Sequence, residues 1–332
     1  MTTVAVLGAG SWGTTLANLV SNQGHEVRLW AYEAEVAAAI NSRHENPVFL
    51  PDMALNEDLV AFEDPGEAVA GAAMVVSASP SHAVRAVVRQ VAAAVRPDVT
   101  VVSATKGLED PSLLRMSQVI HESLPDAQVA VLSGPSFATE VMEGQPTAVV
   151  AASASATTAQ AVQGLFSTPA FRVYTNDDVI GVELGGALKN VIAVAAGVLE
   201  GLGLGQNPRA ALLTRGLAEV TRLGVALGAK PATFAGLAGM GDLILTATGS
   251  LSRNRALGIA IAQGESLERY RTRHRTVAEG ANTSHAAVRL AAQAGVEMPI
   301  AEEICAVLFD GKPARDSVRD LMERELKAEQ WR

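Results

Sequence analysis

A short β-branched and apolar run, Thr3-Val4-Ala5-Val6-Leu7, opens directly into Gly8-Ala9-Gly10-Ser11-Trp12-Gly13. Helical spacing covers residues 12–23, with Leu16, Leu19 and Val20 on one face. A strand that ends in G-x-G-x-x-G and feeds a helix leaves few folds open. Gly8 permits a tight turn, Gly10 lets the backbone approach a pyrophosphate, and Gly13 lets the helix pack close to the sheet. The helix start offers free N–H groups and a partial positive charge to an anion. The same residues can also form a tight turn without a ligand, and the pattern of the downstream chain favours the nucleotide.

Apolar strands alternate with amphipathic helices far beyond this loop. Strand spacing recurs at 26–30, 72–77, 99–103, 128–132, 147–152 and 171–174, with helices at 33–42, 82–95 and 111–122. This alternation predicts a parallel sheet covered on both faces. Past Asn176 the strand signal stops. Helical periodicity covers 179–199, 208–227, 231–235, 239–247, 252–263, 278–294, 300–308 and 313–328. The expected architecture is α/β: a Rossmann-type, doubly wound, mostly parallel sheet over residues 1–176, then an all-helical second domain over 177–332.

Bulk properties narrow the partners. A length of 332 residues suits two domains, and 48% hydrophobic against 18% charged residues provides ample core. A net charge of -9 repels phosphate backbones, so nucleic acid is not expected as a partner. The single cysteine, Cys305, excludes an intrachain disulfide and fits a reducing cytoplasm. No signal peptide is expected ahead of Thr3. The longest uncharged stretch, 144–171, is rich in Ser, Thr and Gln and holds Pro146 and Pro169, so stable membrane insertion is not expected. His82, His121 and His285 read as helix-surface residues, and no His/Cys/Asp spacing suits a metal.

In dinucleotide-binding folds an acid about 20 residues beyond the glycines takes the adenosine ribose. Glu33 lies near that place, although Ala31 and Tyr32 directly follow the strand. As a ribose ligand Glu33 repels a 2′-phosphate. It reads equally well as a solvated acid at a helix start.

Taken together, six motifs resemble, in order and spacing, the NAD(P)-dependent glycerol-3-phosphate dehydrogenases of the bacterial type. They are Gly8-Ala9-Gly10-Ser11-Trp12-Gly13, Ala104-Thr105-Lys106-Gly107-Leu108, Ser133-Gly134-Pro135-Ser136-Phe137-Ala138, Glu183-Leu184-Gly185-Gly186-Ala187-Leu188-Lys189-Asn190-Val191, Gly239-Met240-Gly241-Asp242-Leu243 and Ser252-Arg253-Asn254. The resemblance runs from the first strand to about Gly311. It implies interconversion of glycerol 3-phosphate and dihydroxyacetone phosphate, with a product that feeds phospholipid synthesis. It makes Lys189 the catalytic residue. Lys106, Gly134, Ser136, Asp242, Thr246, Ser252, Arg253 and Asn254 would then surround a small phosphorylated three-carbon substrate. Gly8, Gly10, Ser11, Trp12, Gly13, Tyr32, Lys106, Ala138, Arg253 and Glu279 would line the cofactor, NAD or NADP. The chain departs from its relatives at Ala31-Tyr32, where they often carry His or Arg, which leaves the choice of nucleotide open.

These residue types suit such chemistry. Hydride removal from a secondary alcohol also requires loss of the hydroxyl proton, and a lysine with a depressed pKa can take it or return it. Lys189 is the lone charge in Gly185 to Val194, which a buried helix must pair or neutralise unless the stem alone is buried and the head reaches water. Asp242, flanked by glycine and leucine, either caps the helix it opens or holds Lys189 and a substrate hydroxyl. A carboxylate there raises the lysine pKa while burial lowers it, so the net shift stays open. Arg253 presents a planar fork suited to phosphate at a helix start; otherwise Ser252 caps and Arg253 is a surface charge. Asn254 lies off the apolar face and is free to donate to a ligand. Lys106 and Gly134 follow strands, at the edge where open α/β sheets bind ligands. Glu279 either caps its helix or contacts the cofactor.

Two other classes compete. Dehydrogenases of 3-hydroxy acids or ketopantoate also combine such domains with a helix-borne lysine, and Ser252-Arg253-Asn254 argues instead for a phosphate. A non-catalytic dinucleotide-binding module keeps the glycine loop but has no need of Lys189, Asp242 and Arg253. An alanine-rich helical domain offers a face for a homodimer.

Overall fold

The computed structural model describes residues 1–274, 278–326 and 328–329. Eight strands form one sheet: β1 Thr3–Leu7, β2 Glu26–Trp30, β3 Val60–Phe62, β4 Met74–Ser77, β5 Thr100–Ser103, β6 Gln128–Ser133, β7 Thr147–Ala152 and β8 Phe171–Asn176. Their spatial order is β3-β2-β1-β4-β5-β6-β7-β8. All neighbours pair parallel except β6 with β7. The strand order reverses between β1 and β4, and such a topological switch point opens a crevice for a ligand. The helices Ser11–Ser21, Ala34–Arg43, Val84–Val91, Met116–Ser123 and Ala156–Phe166 flank the sheet. Two apolar clusters, around Val4, Val6 and Leu29 and around Ala5, Leu7 and Val75, show that both faces are covered.

From Val179 the chain is helical. Val179–Gly201 is the hub of this part, buried from Gly181 to Leu199 and surrounded by Gln206–Ala226, Asp242–Thr248, Arg253–Ala262, Glu279–Ala294 and Pro299–Phe309. The hub is long and apolar enough to cross a membrane, but 89% of its apolar window is buried inside the molecule. Asp178 caps it, accepting from Gly181 N at 2.9 Å, and also holds Lys230 N and the Thr233 hydroxyl, which ties the following turns to the hub's start.

Some boundaries differ from expectation. The helix expected at 111–122 begins only at Met116, because residues 108–115 fold back on themselves: Leu108 bridges Arg115, and Leu113 takes a φ of 63°. The segment expected as helix 239–247 opens with a π-helical turn, Leu237–Gly241, before Asp242–Thr248. The helix expected at 313–328 is described as Ala314–Met322; Lys327, within the expected span, lies outside the described residues.

Candidate active site

The glycine loop is built as a cradle. Gly8 N donates to Trp30 O at 3.1 Å, locking the exit of β1 to that of β2. A Cβ on Gly8 would meet Ser79 N at 3.0 Å, and one on Gly13 would sit 1.9 Å from Gly8 O, so both glycines serve close packing. Gly10 differs: nothing lies within 4 Å of its Cβ position. The Ser11–Ser21 helix starts at Gly10 with no side-chain cap, so its first amides face open space. Asn46 fixes the loop from behind, donating to Ala9 O at 2.8 Å and to the Thr14 hydroxyl at 2.9 Å. An open glycine, uncapped amides and a positive helix end fit a dinucleotide pyrophosphate. Ser11 and Trp12 stand on the first turn, and Ala138 packs beside it, its carbonyl accepting from Thr15. Tyr32 is 81% exposed and meets Trp30 edge-on.

Across the carboxyl edge of the sheet lies a second cluster. Lys189 Nζ donates to Asp242 Oδ1 at 2.5 Å and to the Thr246 hydroxyl. Lys106 Nζ reaches the other carboxylate oxygen, Oδ2, at 2.7 Å and Gly134 O at 2.9 Å. Asp242 is 1% exposed and Lys189 6%, whereas Lys106 is only half-buried and so forms the solvent side of the group. The Asp242 carboxylate therefore does not cap its helix; it joins two ammonium groups from different parts of the chain. Burial lowers the Lys189 pKa to about 7, against the upward pull of Asp242 and with help from the Lys106 charge. Close approach makes this geometry feasible. A Cβ on Gly186 would lie 2.6 Å from the Ser133 hydroxyl, and one on Gly185 would lie 2.7 Å from Ala238 O. The hub can thus press against both the end of β6 and the π-helical turn that presents Asp242. Ser136, at the same edge, donates its hydroxyl to Gly134 O at 3.0 Å.

The Arg253–Ala262 helix forms the remaining wall. Ser252 Oγ accepts from Arg255 N at 3.2 Å and so acts as the cap. Arg253 has no side-chain ion pair or hydrogen bond among the described residues. It is exposed, yet neighbouring protein desolvates it enough to lower its pKa, with Glu279 opposing. Exposure with partial desolvation describes a cation on the wall of a cleft. Asn254 uses one of its two Nδ2 hydrogens within the protein and keeps the other to donate. It is 8% exposed, its Nδ2 donates to Asn190 Oδ1 at 2.9 Å, and its Oδ1 accepts from Gly280 N at 2.8 Å. Glu279 does not cap its helix either. Its carboxylate accepts from Ser81 N at 3.0 Å and from the Ser81 hydroxyl at 2.7 Å, joining the helical part to the loop after β4.

Ser81, Asn46 and Asn190 do not stand out in the sequence as site residues. Asn190 carries a signal, since it adjoins Lys189 in the longest motif; Ser81 and Asn46 lie in loops without one. Among the described residues no group of three or more His, Cys, Asp or Glu stands together in a metal-holding arrangement.

The site invites comparison with known proteins. The family model for the NAD-dependent glycerol-3-phosphate dehydrogenase N-terminus matches residues 3–159, and that for the C-terminus matches residues 178–319. A glycerol-3-phosphate dehydrogenase [NAD(P)+] of Geobacter sulfurreducens is 55% identical over 331 residues, covering 99% of both chains. The crystal structure of glycerol-3-phosphate dehydrogenase from Coxiella burnetii superposes with a TM-score of 0.94 at 37% identity, covering 97% of this chain and 99% of that one. The Saccharomyces cerevisiae glycerol-3-phosphate dehydrogenase superposes at 0.82 with 28% identity, covering 97% and 99%.

Proposed function

The chain belongs to the NAD-dependent glycerol-3-phosphate dehydrogenase family, and from that premise we propose that it moves a hydride between NAD(P)H and dihydroxyacetone phosphate, with Lys189 as general acid and base. The observation that carries the proposal is the Asp242-centred pair of lysines, one buried and one at the solvent edge, beside the nucleotide cradle.

A nicotinamide dinucleotide held at the glycine loop would supply the hydride or accept it. In reduction, Lys189 as an ammonium gives its proton to the carbonyl oxygen while the hydride reaches the carbonyl carbon, and the product is the secondary alcohol of sn-glycerol 3-phosphate. In oxidation, the neutral amine takes the hydroxyl proton as the hydride leaves the same carbon. Asp242 holds Lys189 in one rotamer and, through Lys106, keeps a second cation near the developing alkoxide. Thr246 accepts one further Lys189 N–H, which fixes the direction in which the remaining hydrogen points. Arg253, unpaired at a helix start, suits the substrate phosphate. Gly134, Ser136, Ser252 and Asn254 shape the floor and walls between them.

The lone cysteine, Cys305, a free thiol, supports a reducing cytoplasm. The family supports glycerophospholipid synthesis as the destination of the product, and the alanine-rich helical part supports a homodimer. Competing readings are tested by initial rates with dihydroxyacetone phosphate, a 3-oxo acid and ketopantoate. Turnover of the acids alone overturns the substrate assignment. Lys189→Ala is expected to lower kcat by roughly 10²- to 10⁴-fold with NADH binding retained. A loss below about tenfold would rule Lys189 out as the general acid and base.

A further inference from the structure

Two helix starts abut on the substrate wall. Gly280 N donates to Asn254 Oδ1 at 2.8 Å, so the first turn of Glu279–Ala294 lies against the first turn of Arg253–Ala262. Each start carries one charge beside that contact, Arg253 on one and Glu279 on the other. An arginine and a carboxylate on adjoining turns ordinarily pair, often through two hydrogen bonds. Here both oxygens of Glu279 are held by Ser81 instead, whose amide donates to Oε1 at 3.0 Å and whose hydroxyl donates to Oε2 at 2.7 Å. The Glu279 charge is still felt at Arg253, where it opposes the lowering of the pKa by burial.

The turn that carries Ser81 is fixed from the side of the sheet. Ser81 follows β4 and is 2% exposed. Ser79, in the same turn, donates its hydroxyl to Leu7 O at the end of β1 at 3.1 Å. Thr105, beyond β5, donates its hydroxyl to Ser79 O at 2.7 Å. Gly107 leaves room for the contact, since a Cβ there would lie 2.7 Å from Ser81 Cβ and 3.4 Å from Glu279 Oε2. The two Ser81 donors thus stand at a point set by the sheet and draw the carboxylate toward it, away from the cation on the neighbouring helix start.

We propose that Ser81 is a positioning residue for substrate binding: by holding the Glu279 carboxylate through two donors, it withholds that carboxylate from Arg253 and leaves the guanidinium to the substrate phosphate. The inference rests on the dehydrogenase reading, in which Arg253 takes that phosphate. Without the Ser81 hydroxyl one Glu279 oxygen is released, and the carboxylate competes with the phosphate for the same planar fork. An ion pair at an exposed arginine is worth up to about fivefold in affinity.

Initial rates at saturating NADH test the idea, with melting temperatures to establish that each variant is folded. Ser81→Ala should raise KM for dihydroxyacetone phosphate by about two- to fivefold and leave kcat within about twofold. Adding Glu279→Gln to Ser81→Ala should return KM to that of the unaltered chain, because an amide cannot form the competing ion pair. Glu279→Gln alone should leave KM for dihydroxyacetone phosphate no higher than in the unaltered chain. In an Arg253→Ala background Ser81→Ala should change KM no further. Calorimetric titration of glycerol 3-phosphate into the NADH complex, in which no hydride can pass, should give the same ratios as dissociation constants. A Ser81 that only joins the two parts of the molecule predicts the opposite: a double variant at least as impaired as Ser81→Ala, and a raised KM in Glu279→Gln alone. Either result overturns the proposal, as does an unchanged KM in Ser81→Ala. Glycerol 3-phosphate that fails to bind, with no turnover of dihydroxyacetone phosphate by the unaltered chain, would remove the substrate assignment and this inference with it. Intact turnover with none of these shifts would remove the inference alone.

Discussion

Lys189 carries the titration on which the proposed reaction depends. Removing its ammonium from water costs more than one shared carboxylate returns, so burial holds the amine near about 7 although Asp242 pulls it upward. The sign follows from the two protonation states. Above about 7 the amine is neutral and accepts the proton of a secondary hydroxyl; below it the ammonium donates. For glycerol 3-phosphate oxidation, kcat/KM should therefore rise with pH through about 7 and level off, while for dihydroxyacetone phosphate reduction it should fall through the same range. Asp242→Asn removes the charge that favours the ammonium, so the midpoint should move to lower pH as well as the rate falling. Initial rates against pH in both directions check this. A flat profile through neutrality, or a midpoint moved upward in Asp242→Asn, would contradict it. In the sequence Lys189 stands out as the only charge in an apolar stretch, and Asp242 stands out among glycines. The direction of the shift is not legible there, because it depends on how deeply Nζ is enclosed by Asp242, Thr246 and Lys106, which come from distant segments. The internal partners of Asn254 are hidden for a related reason: Asn190 and the Gly280 amide lie 64 and 26 residues away.

Among the elements, the hub helix Val179–Gly201 sets the geometry, and glycines set how near its neighbours come. A Cβ on Gly258 would lie 2.0 Å from Val194 O, and one on Gly197 would lie 2.1 Å from Arg255 O. The hub and the Arg253–Ala262 helix therefore cross backbone to backbone. Gly258→Ala must push them apart, and with them Arg253 and the Ser252 cap. An overpacked contact of this kind costs about 1–3 kcal/mol. A melting temperature lowered by a few degrees is expected, with a raised KM for the phosphorylated substrate. Calorimetry and initial rates read both, and an unaltered melting point would show that the crossing tolerates the methyl group. The strands of the sheet are legible as apolar runs because both faces are buried. β3 is not, since three residues give no period to read. The helix Ala156–Phe166 is hidden within an uncharged run of alanine, threonine and glutamine that lacks a sharp polar face. Residues 111–115 have helical spacing, but the chain there is committed to a bridge between Leu108 and Arg115.

Over the whole molecule, the sheet and the helical part meet through both apolar and ionic contacts. Val131, Val150 and Ala152 of the sheet share a buried cluster with Val182 and Ala238. Besides Asp242, which holds Lys106, three carboxylates cross between the parts. Glu279 binds Ser81, Asp110 binds Arg289 and His285, and Glu183 accepts from Arg115, from Ser117 N at 2.8 Å and from the Ser117 hydroxyl at 2.6 Å. Partners up to 198 residues apart leave no local pattern, so this framework is invisible in the sequence even where its members lie inside recognised motifs. Its consequence is cooperative unfolding: neither part can loosen without exposing Glu183, whose side chain is 5% exposed. A single calorimetric transition is expected rather than two. Glu183→Gln keeps the shape but removes the charge that Arg115 and two further donors share, at a cost of roughly 1–3 kcal/mol. Its melting point should fall by several degrees while the transition stays single, because apolar contacts still join the two parts. Two resolved transitions in the unaltered chain would show that the helical part folds independently of the sheet, and that the lysine centre is assembled only when the two dock.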